Sequence, residues 1–103
     1  MAYSKYKAKK CIVDGISFDS LKEGRRYRQL VLLERARDIS DLEIQPKYDL
    51  IVNRIKVGFY KADFRYIKNG KVIVEDVKGV KTPVYNLKKR MIKAIYDIDI
   101  LET

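Results

Sequence analysis

Histidine is absent from the 103 residues, and cysteine occurs once, at Cys11. A zinc site of Cys and His ligands is thereby excluded, as is an internal disulfide. The apolar alternation around Cys11 reads as a small buried side chain. Tryptophan is also missing, and only two prolines and five glycines punctuate the chain. No Gly- or Ser-rich linker divides it and no internal repeat runs through it. No apolar run is long enough for a bilayer, and no basic segment adjoins one, so no membrane partner is expected. The basic start leads into no apolar stretch and does not read as a signal peptide; a reducing cytoplasm is the expected location. Acidic residues are in deficit. Fourteen acids face 23 bases, and the formal charge of +9 favours an anionic partner, nucleic acid before any other. Eight tyrosines lie interleaved with Lys and Arg. They suit backbone contacts and base stacking, although the commoner role of such tyrosines is the edge of a core. The length fits one domain over residues 1–103 with a modest core, which a homodimer would help to stabilise.

Two apolar-rich stretches, Phe59–Tyr66 and Val72–Gly79, flank Asn69-Gly70, a strong signal for a two-residue hairpin. They are expected to form antiparallel strands. Side chains two apart share a face, so Asp76 and Lys78 point one way and Glu75 and Val77 the other. Pairing across the turn sets Asp63 roughly opposite Asp76. Two acids converging on one face repel unless a cation neutralises them. An oxygen-only pair of this kind suits Mg²⁺ or Mn²⁺. Lys78 beside it would bind a phosphate or position a water. The plain alternative is that these acids and lysines face solvent.

The rest of the chain supplies a frame. Residues 1–8, with Tyr3, Lys5, Tyr6 and Lys7, are either a frayed tail or an arm touching a phosphate backbone or a partner subunit. Asp14-Gly15 predicts a ribbon between Lys9–Val13 and Ile16–Phe18. Ser20 with Glu23 three residues on has capping-box spacing and opens a helix ending near Ala36 to Asp38. Leu21, Tyr27, Leu30, Val31 and Glu34 trace one side of it; Arg25, Arg26, Gln29 and Leu33 lie elsewhere. Glu23 either caps this helix or completes the acidic cluster. Gly24 weakens the helix, which makes sense if the sheet or a substrate strand approaches there. A strand begins at Leu42–Gln45, is interrupted by Pro46, and resumes through Tyr48, Leu50 and Val52. Asn53 and Arg54 turn the chain, and Gly58 marks a bulge. Pro83 leads into an amphipathic helix whose apolar set is Leu87, Met91, Ile92, Ile95 and Tyr96, with Val84 just ahead and with Lys88, Lys89, Arg90 and Lys93 opposite. A last strand near Ile98–Leu101 would pair in parallel after the crossover. The expected fold is α/β or α+β, a mixed central sheet flanked by helices.

A helix glutamate, a first-strand aspartate and an Asp-x-Lys on the next strand together resemble the active-site signature of the PD-(D/E)XK nuclease superfamily. From Tyr6 to Thr103 the chain is similar to small phage-encoded, resolvase-like proteins of that superfamily. The likeness is carried by Asp14-Gly15-Ile16, Phe18-Asp19-Ser20, Glu23, Ala62-Asp63-Phe64, Glu75-Asp76-Val77-Lys78-Gly79, Thr82 and Leu87-Lys88-Lys89. It implies a restriction-endonuclease-like sheet and a metal-dependent DNA endonuclease, acting on branched or otherwise structured DNA in the host cytoplasm. In it Asp63 is the first metal-binding acid, Asp76 and Lys78 the (D/E)-x-K pair, and Glu23 the added helix acid. Ala62 replaces the proline of the motif name, and Asp76 stands where glutamate is commoner. Glu75 competes for that role, and strand parity prefers Asp76.

The implied chemistry has Asp63, Asp76, Glu23 and the Val77 carbonyl holding one or two Mg²⁺ or Mn²⁺ ions, with Lys78 orienting water or neutralising charge. No organic cofactor is expected. Arg25, Arg26, Lys81, Lys88 and Lys89 would grip the DNA backbone, making binding salt-dependent. Gln45 would either orient a water or bind a phosphate, or is an ordinary strand-surface residue. Two rival readings are a non-catalytic nucleic-acid-binding module of the same fold and a structural partner in a phage replication or packaging complex.

Overall fold

Three two-residue turns set the frame of the computed structural model, which describes residues 9–103. Asp14-Gly15, Asn53-Arg54 and Asn69-Gly70 all have positive φ, between 49° and 76°. Paired left-handed residues of this kind match the twist of adjacent antiparallel strands. They join β1 (Cys11–Val13) to β2 (Ile16–Phe18), β4 (Lys47–Val52) to β5 (Ile55–Lys61), and β6 (Phe64–Lys68) to β7 (Lys71–Asp76). The arm considered at residues 1–8 lies outside the described residues.

Helix α1 (Leu21–Arg35) starts at Ser20, whose Oγ accepts the Glu23 N–H at 3.1 Å. Strand β3 (Ser40–Ile44) follows. Helix α2 (Pro83–Tyr96) has Thr82 as its N-cap and proline in its first turn, and it ends on Asp97 at φ 57°. Strand β8 (Leu101–Glu102) pairs in parallel with β7, as the crossover requires. A four-stranded mixed sheet in the order β3-β6-β7-β8, flanked by helices and preceded by the β1-β2 ribbon, gives a restriction-endonuclease-like α/β arrangement.

The first strand of the expected central hairpin is not one strand. The chain breaks at Ala62-Asp63, leaving β5 paired with β4 in a separate ribbon and β6 in the mixed sheet. The facing arm breaks at Gln45-Pro46, where Gln45 has φ 56°. Single bonds bridge the gap: the Gln45 N–H donates to the Asp63 carbonyl at 2.9 Å, and the Ala62 N–H donates to the Pro46 carbonyl at 3.0 Å. One long hairpin is thus bent where proline, lacking an N–H, cannot continue the ladder. Further out, Leu50 pairs with Gly58 and Ile51 with Lys56, so the register slips at Val57 beside the glycine.

The mixed sheet is covered on both faces. Phe64, Tyr66 and Val77 pack with Tyr27 and Leu30 of α1 and with Val13 and Phe18 of the ribbon. Val74 packs on the other side with Tyr85 and Ile92 of α2 and with Leu50 and Tyr60 of the outer ribbon. The alternation along β7 follows from the strand period of two.

Helix α1 buries Tyr27 and Leu30 of its expected side and packs Val31 against the core, whereas α2 turns differently from its expected face. In α1 the buried residues are Glu23, Gly24, Tyr27 and Leu30, while Leu21 is exposed and Leu33 packs against the core. In α2, Tyr85 and Ile92 are buried, whereas Val84 and Leu87 are exposed. Lys88 and Lys89 lie on the half-buried side. Their aliphatic stems tolerate this position because the ammonium groups reach polar or aromatic partners. Gly24 has a direct packing reason: a Cβ there would stand 2.6 Å from Cys11 Sγ. The close approach is that of β1, neither the sheet nor a substrate. No helix among the described residues is long and apolar enough to cross a membrane.

Candidate functional site

Asp63 stands at the bend, immediately before β6. Its N–H donates to the Glu75 carbonyl at 3.1 Å, extending the β6-β7 register so that Asp63 faces Asp76 at the end of β7. Its Oδ2 accepts the Val77 N–H at 2.6 Å. Val77 therefore meets the site through its N–H. Burial, then hydrogen bonding and charge repulsion from Asp76, then a hydrogen bond with Glu23, push the Asp63 carboxyl up to about 9, against the opposing Val77 N–H. Asp63 and Asp76 thus stand opposite each other at the end of the β6-β7 ladder.

Asp76 is buried, and its two oxygens have different partners. Oδ2 accepts a short hydrogen bond from the Tyr60 hydroxyl, while Oδ1 lies 3.0 Å from Lys78 Nζ. Burial and the Asp76 carboxylate both push the Tyr60 phenol up, so it stays a donor. Lys78 Nζ also lies 4.0 Å from the centroid of the Tyr85 ring. Tyr85 in turn donates to Glu102 Oε2 at 2.7 Å. Glu102 is held by Lys81 at 2.9 Å and Lys89 at 3.1 Å, and these partners, Tyr85 first, bring its carboxyl down to about 2. Tyr60, Tyr85 and Glu102 were not singled out in the sequence. The signal available was the period of two in β5, which sets Tyr60 on the inner face.

Glu23 acts in the helix cap: its N–H donates to Ser20 Oγ, and its Oε2 accepts the Ser20 hydroxyl at 3.2 Å. Its carboxyl also contributes to the upward shift of Asp63.

Glu75 faces the opposite way from Asp76, in keeping with strand parity. It is fully buried and receives Arg26 Nε at 2.7 Å, Arg26 Nη2 at 2.9 Å, Tyr66 at 2.8 Å and Thr103 Oγ1 at 3.0 Å. Arg26 is thus committed to an internal carboxylate and does not stand free to grip a backbone. Gln45 also has a structural partner, since its side-chain amide donates to the Ser17 carbonyl at 3.0 Å and ties the bend to the ribbon. Lys81 and Lys89 are held by Glu102, and Lys88 Nζ lies 5.4 Å from the Phe59 ring centroid. Arg25 is exposed.

The donor set of Glu23, Asp63 and Asp76 is all oxygen, which suits a hard divalent ion. Yet among the described residues no group of three Cys, His, Asp or Glu side chains is arranged to hold a metal. The two observations are compatible. The acids share one neighbourhood, but their oxygens are turned toward Val77, Tyr60, Lys78 and Ser20. A cation would fit the charge and chemistry of the cluster once some of those contacts gave way.

No curated protein and no solved structure matches the chain. A family model described as "Protein of unknown function (DUF1064)" matches residues 3–101, and the chain belongs to that family.

Proposed function

We propose that this domain binds nucleic acid at the face where Glu23, Asp63, Asp76 and Lys78 meet, and that with a divalent ion it hydrolyses DNA phosphodiester bonds there. The carrying observation is Asp63, half-buried opposite the buried Asp76, with its carboxyl pushed up to about 9. Such a cluster is costly in a purely structural role and is relieved by a cation. Asp63, Asp76 and Glu23 would hold Mg²⁺ or Mn²⁺. The ion would supply Lewis acidity and a more acidic bound water. Lys78, fixed between Asp76 and the Tyr85 ring, would orient the attacking water and offset charge on the phosphate. Held between these partners, its ammonium suits positioning rather than proton abstraction. A symmetric pair of subunits would offer two such sites to a DNA branch in phage DNA metabolism.

A second reading is a nucleic-acid-binding module of the same fold without catalysis. The partners already held by the acids, and the missing three-ligand arrangement among the described residues, favour it. It requires no rearrangement of the site and so lies nearer the geometry described above.

Branched, nicked and linear DNA incubated with Mg²⁺ or Mn²⁺ separates the two. Cleavage by the native protein, lost in Asp76→Asn and Lys78→Ala while binding persists, supports hydrolysis. Binding without cleavage under every divalent ion leaves the module.

A further inference from the structure

We propose that the cavity beside the first turns of α1 is a subsite for a phosphate group of nucleic acid. The cavity encloses about 310 Å³ and is lined by Lys22, Arg25, Arg26, Gln29, Val77 and Thr103. Residues 22, 25, 26 and 29 share one stripe of the helix, next to the stripe that buries Glu23. The cavity therefore adjoins the acidic cluster. Val77 in its wall donates its N–H to Asp63, and Lys22 Nζ donates to the Lys78 carbonyl at 3.0 Å and to Thr103 O at 3.2 Å, which leaves one ammonium N–H for a ligand.

Its charge is suited to an anion. Glu75 is already matched by Arg26, Tyr66 and Thr103. Arg26 also lines the cavity and directs a further N–H to Gln29 Oε1 at 3.1 Å, a bond that does not use the N–H₂ of the exposed Gln29 side chain. Arg25 is exposed at the mouth, and no ion pair among the described residues involves it. A guanidinium, an ammonium and an amide around one cavity form a phosphate-binding set. On and beside α2, Lys81 and Lys89 are held by Glu102 and Lys93 by Asp97 and Asp99, while Lys88 and Arg90 have no ion pair among the described residues. The phosphate is either an internal phosphodiester or a strand terminus, and the chemistry at the cavity is the same for both.

This subsite rests on the nucleic-acid reading but not on hydrolysis, so it is tested in EDTA. Fluorescence anisotropy with labelled duplex DNA at several salt concentrations compares native protein, Arg25→Ala, and Lys68→Ala, an equal charge change at the distant β6-β7 turn. Arg25→Ala is expected to weaken binding about tenfold and to lower the salt slope by about 1. Lys68→Ala should change binding less than about twofold. Loss of the Arg25→Ala effect on 5′-hydroxyl DNA, with retention on 5′-phosphorylated DNA, identifies a terminal phosphate; persistence on both identifies an internal one. Equal losses in the two variants mean diffuse attraction and overturn the subsite. Inorganic phosphate at matched ionic strength is the second probe, read by NMR at Arg25 Nε and the Gln29 amide. Phosphate-specific shifts without DNA binding keep the subsite and remove the nucleic-acid reading; no shifts and no DNA binding overturn both.

Discussion

The Lys78 ammonium is gripped from two sides, by Asp76 Oδ1 at 3.0 Å and by the Tyr85 ring, whose centroid is 4.0 Å away. The ring fixes the position of the ammonium, and the Tyr85 hydroxyl fixes the ring against Glu102. A cation over an aromatic face contributes about 0.5–2 kcal/mol. Tyr85→Leu should therefore cut any cleavage rate about tenfold, while Tyr85→Phe, which keeps the ring, should cost about threefold or less. The upfield NMR shift of the Lys78 ε-methylene provides a readout independent of catalysis. It should vanish in the leucine variant and survive in the phenylalanine one.

Asp63 predicts a pH dependence of stability with a definite sign. Its carboxyl is raised from 3.8 to about 9 in the folded protein. Between these values the folded state holds a proton that the unfolded state has released. This contribution to stability is therefore complete below pH ~4 and declines as pH rises toward ~9. Asp63→Asn should flatten that decline and raise the melting temperature at neutral pH. Thermal melts of both proteins from pH 5 to 9 provide the check; parallel curves would contradict the assignment.

A divalent ion should act in the opposite direction. It competes with the proton at Asp63, so stabilisation by Mn²⁺ should grow as pH rises. Melting temperatures with and without Mn²⁺ at pH 6 and 8 measure this. Asp76→Asn should abolish the difference, and a shift that persists in that variant assigns the ion elsewhere.

Glu75 should matter more to folding than any other acid. It is fully buried and takes four hydrogen bonds, two of them from Arg26. Glu75→Ala leaves Arg26 without its partner and should cost about 3–5 kcal/mol in urea unfolding. Tyr66→Phe removes one neutral donor and should cost about 1 kcal/mol.

Gly24 and Cys11 should behave non-additively. Alanine at 24 gains about 1 kcal/mol of helix propensity, but its methyl would meet Cys11 Sγ at 2.6 Å. Gly24→Ala alone should be neutral or destabilising, whereas in a Cys11→Ala background it should stabilise. Equal effects in the two backgrounds would show that the contact is unimportant.

Local rules made much of this fold legible. Asp14-Gly15 and Asn69-Gly70 lie at their expected turns because they tolerate positive φ, and the period of two separated Asp76 from Glu75 along β7. Ser20 and Pro83 marked the helix starts for equally local reasons. What the sequence concealed was tertiary. The stretch Phe59–Tyr66 has the composition of one strand, but its bend is forced by Gln45-Pro46 on the facing arm. The α2 pattern contains two apolar stripes, and periodicity alone does not choose between them; Tyr85 decides through Glu102 and Lys78, leaving Val84 and Leu87 outside. The Arg26–Glu75 pair spans helix and sheet and leaves no short-range trace. The Tyr60–Asp76 bond likewise depends on the outer ribbon folding back.

The bend has a mechanical corollary. Two residues beyond the end of the outer ribbon, the backbone is already anchored to β7 through the Asp63 N–H, and Tyr60 on the ribbon side holds Asp76 on the sheet side. A torque applied to the ribbon tip at Asn53-Arg54 would be transmitted along both arms to the pivot at Asp63. Load at that tip would arrive where the Asp63 backbone and the Tyr60–Asp76 bond tie ribbon to sheet.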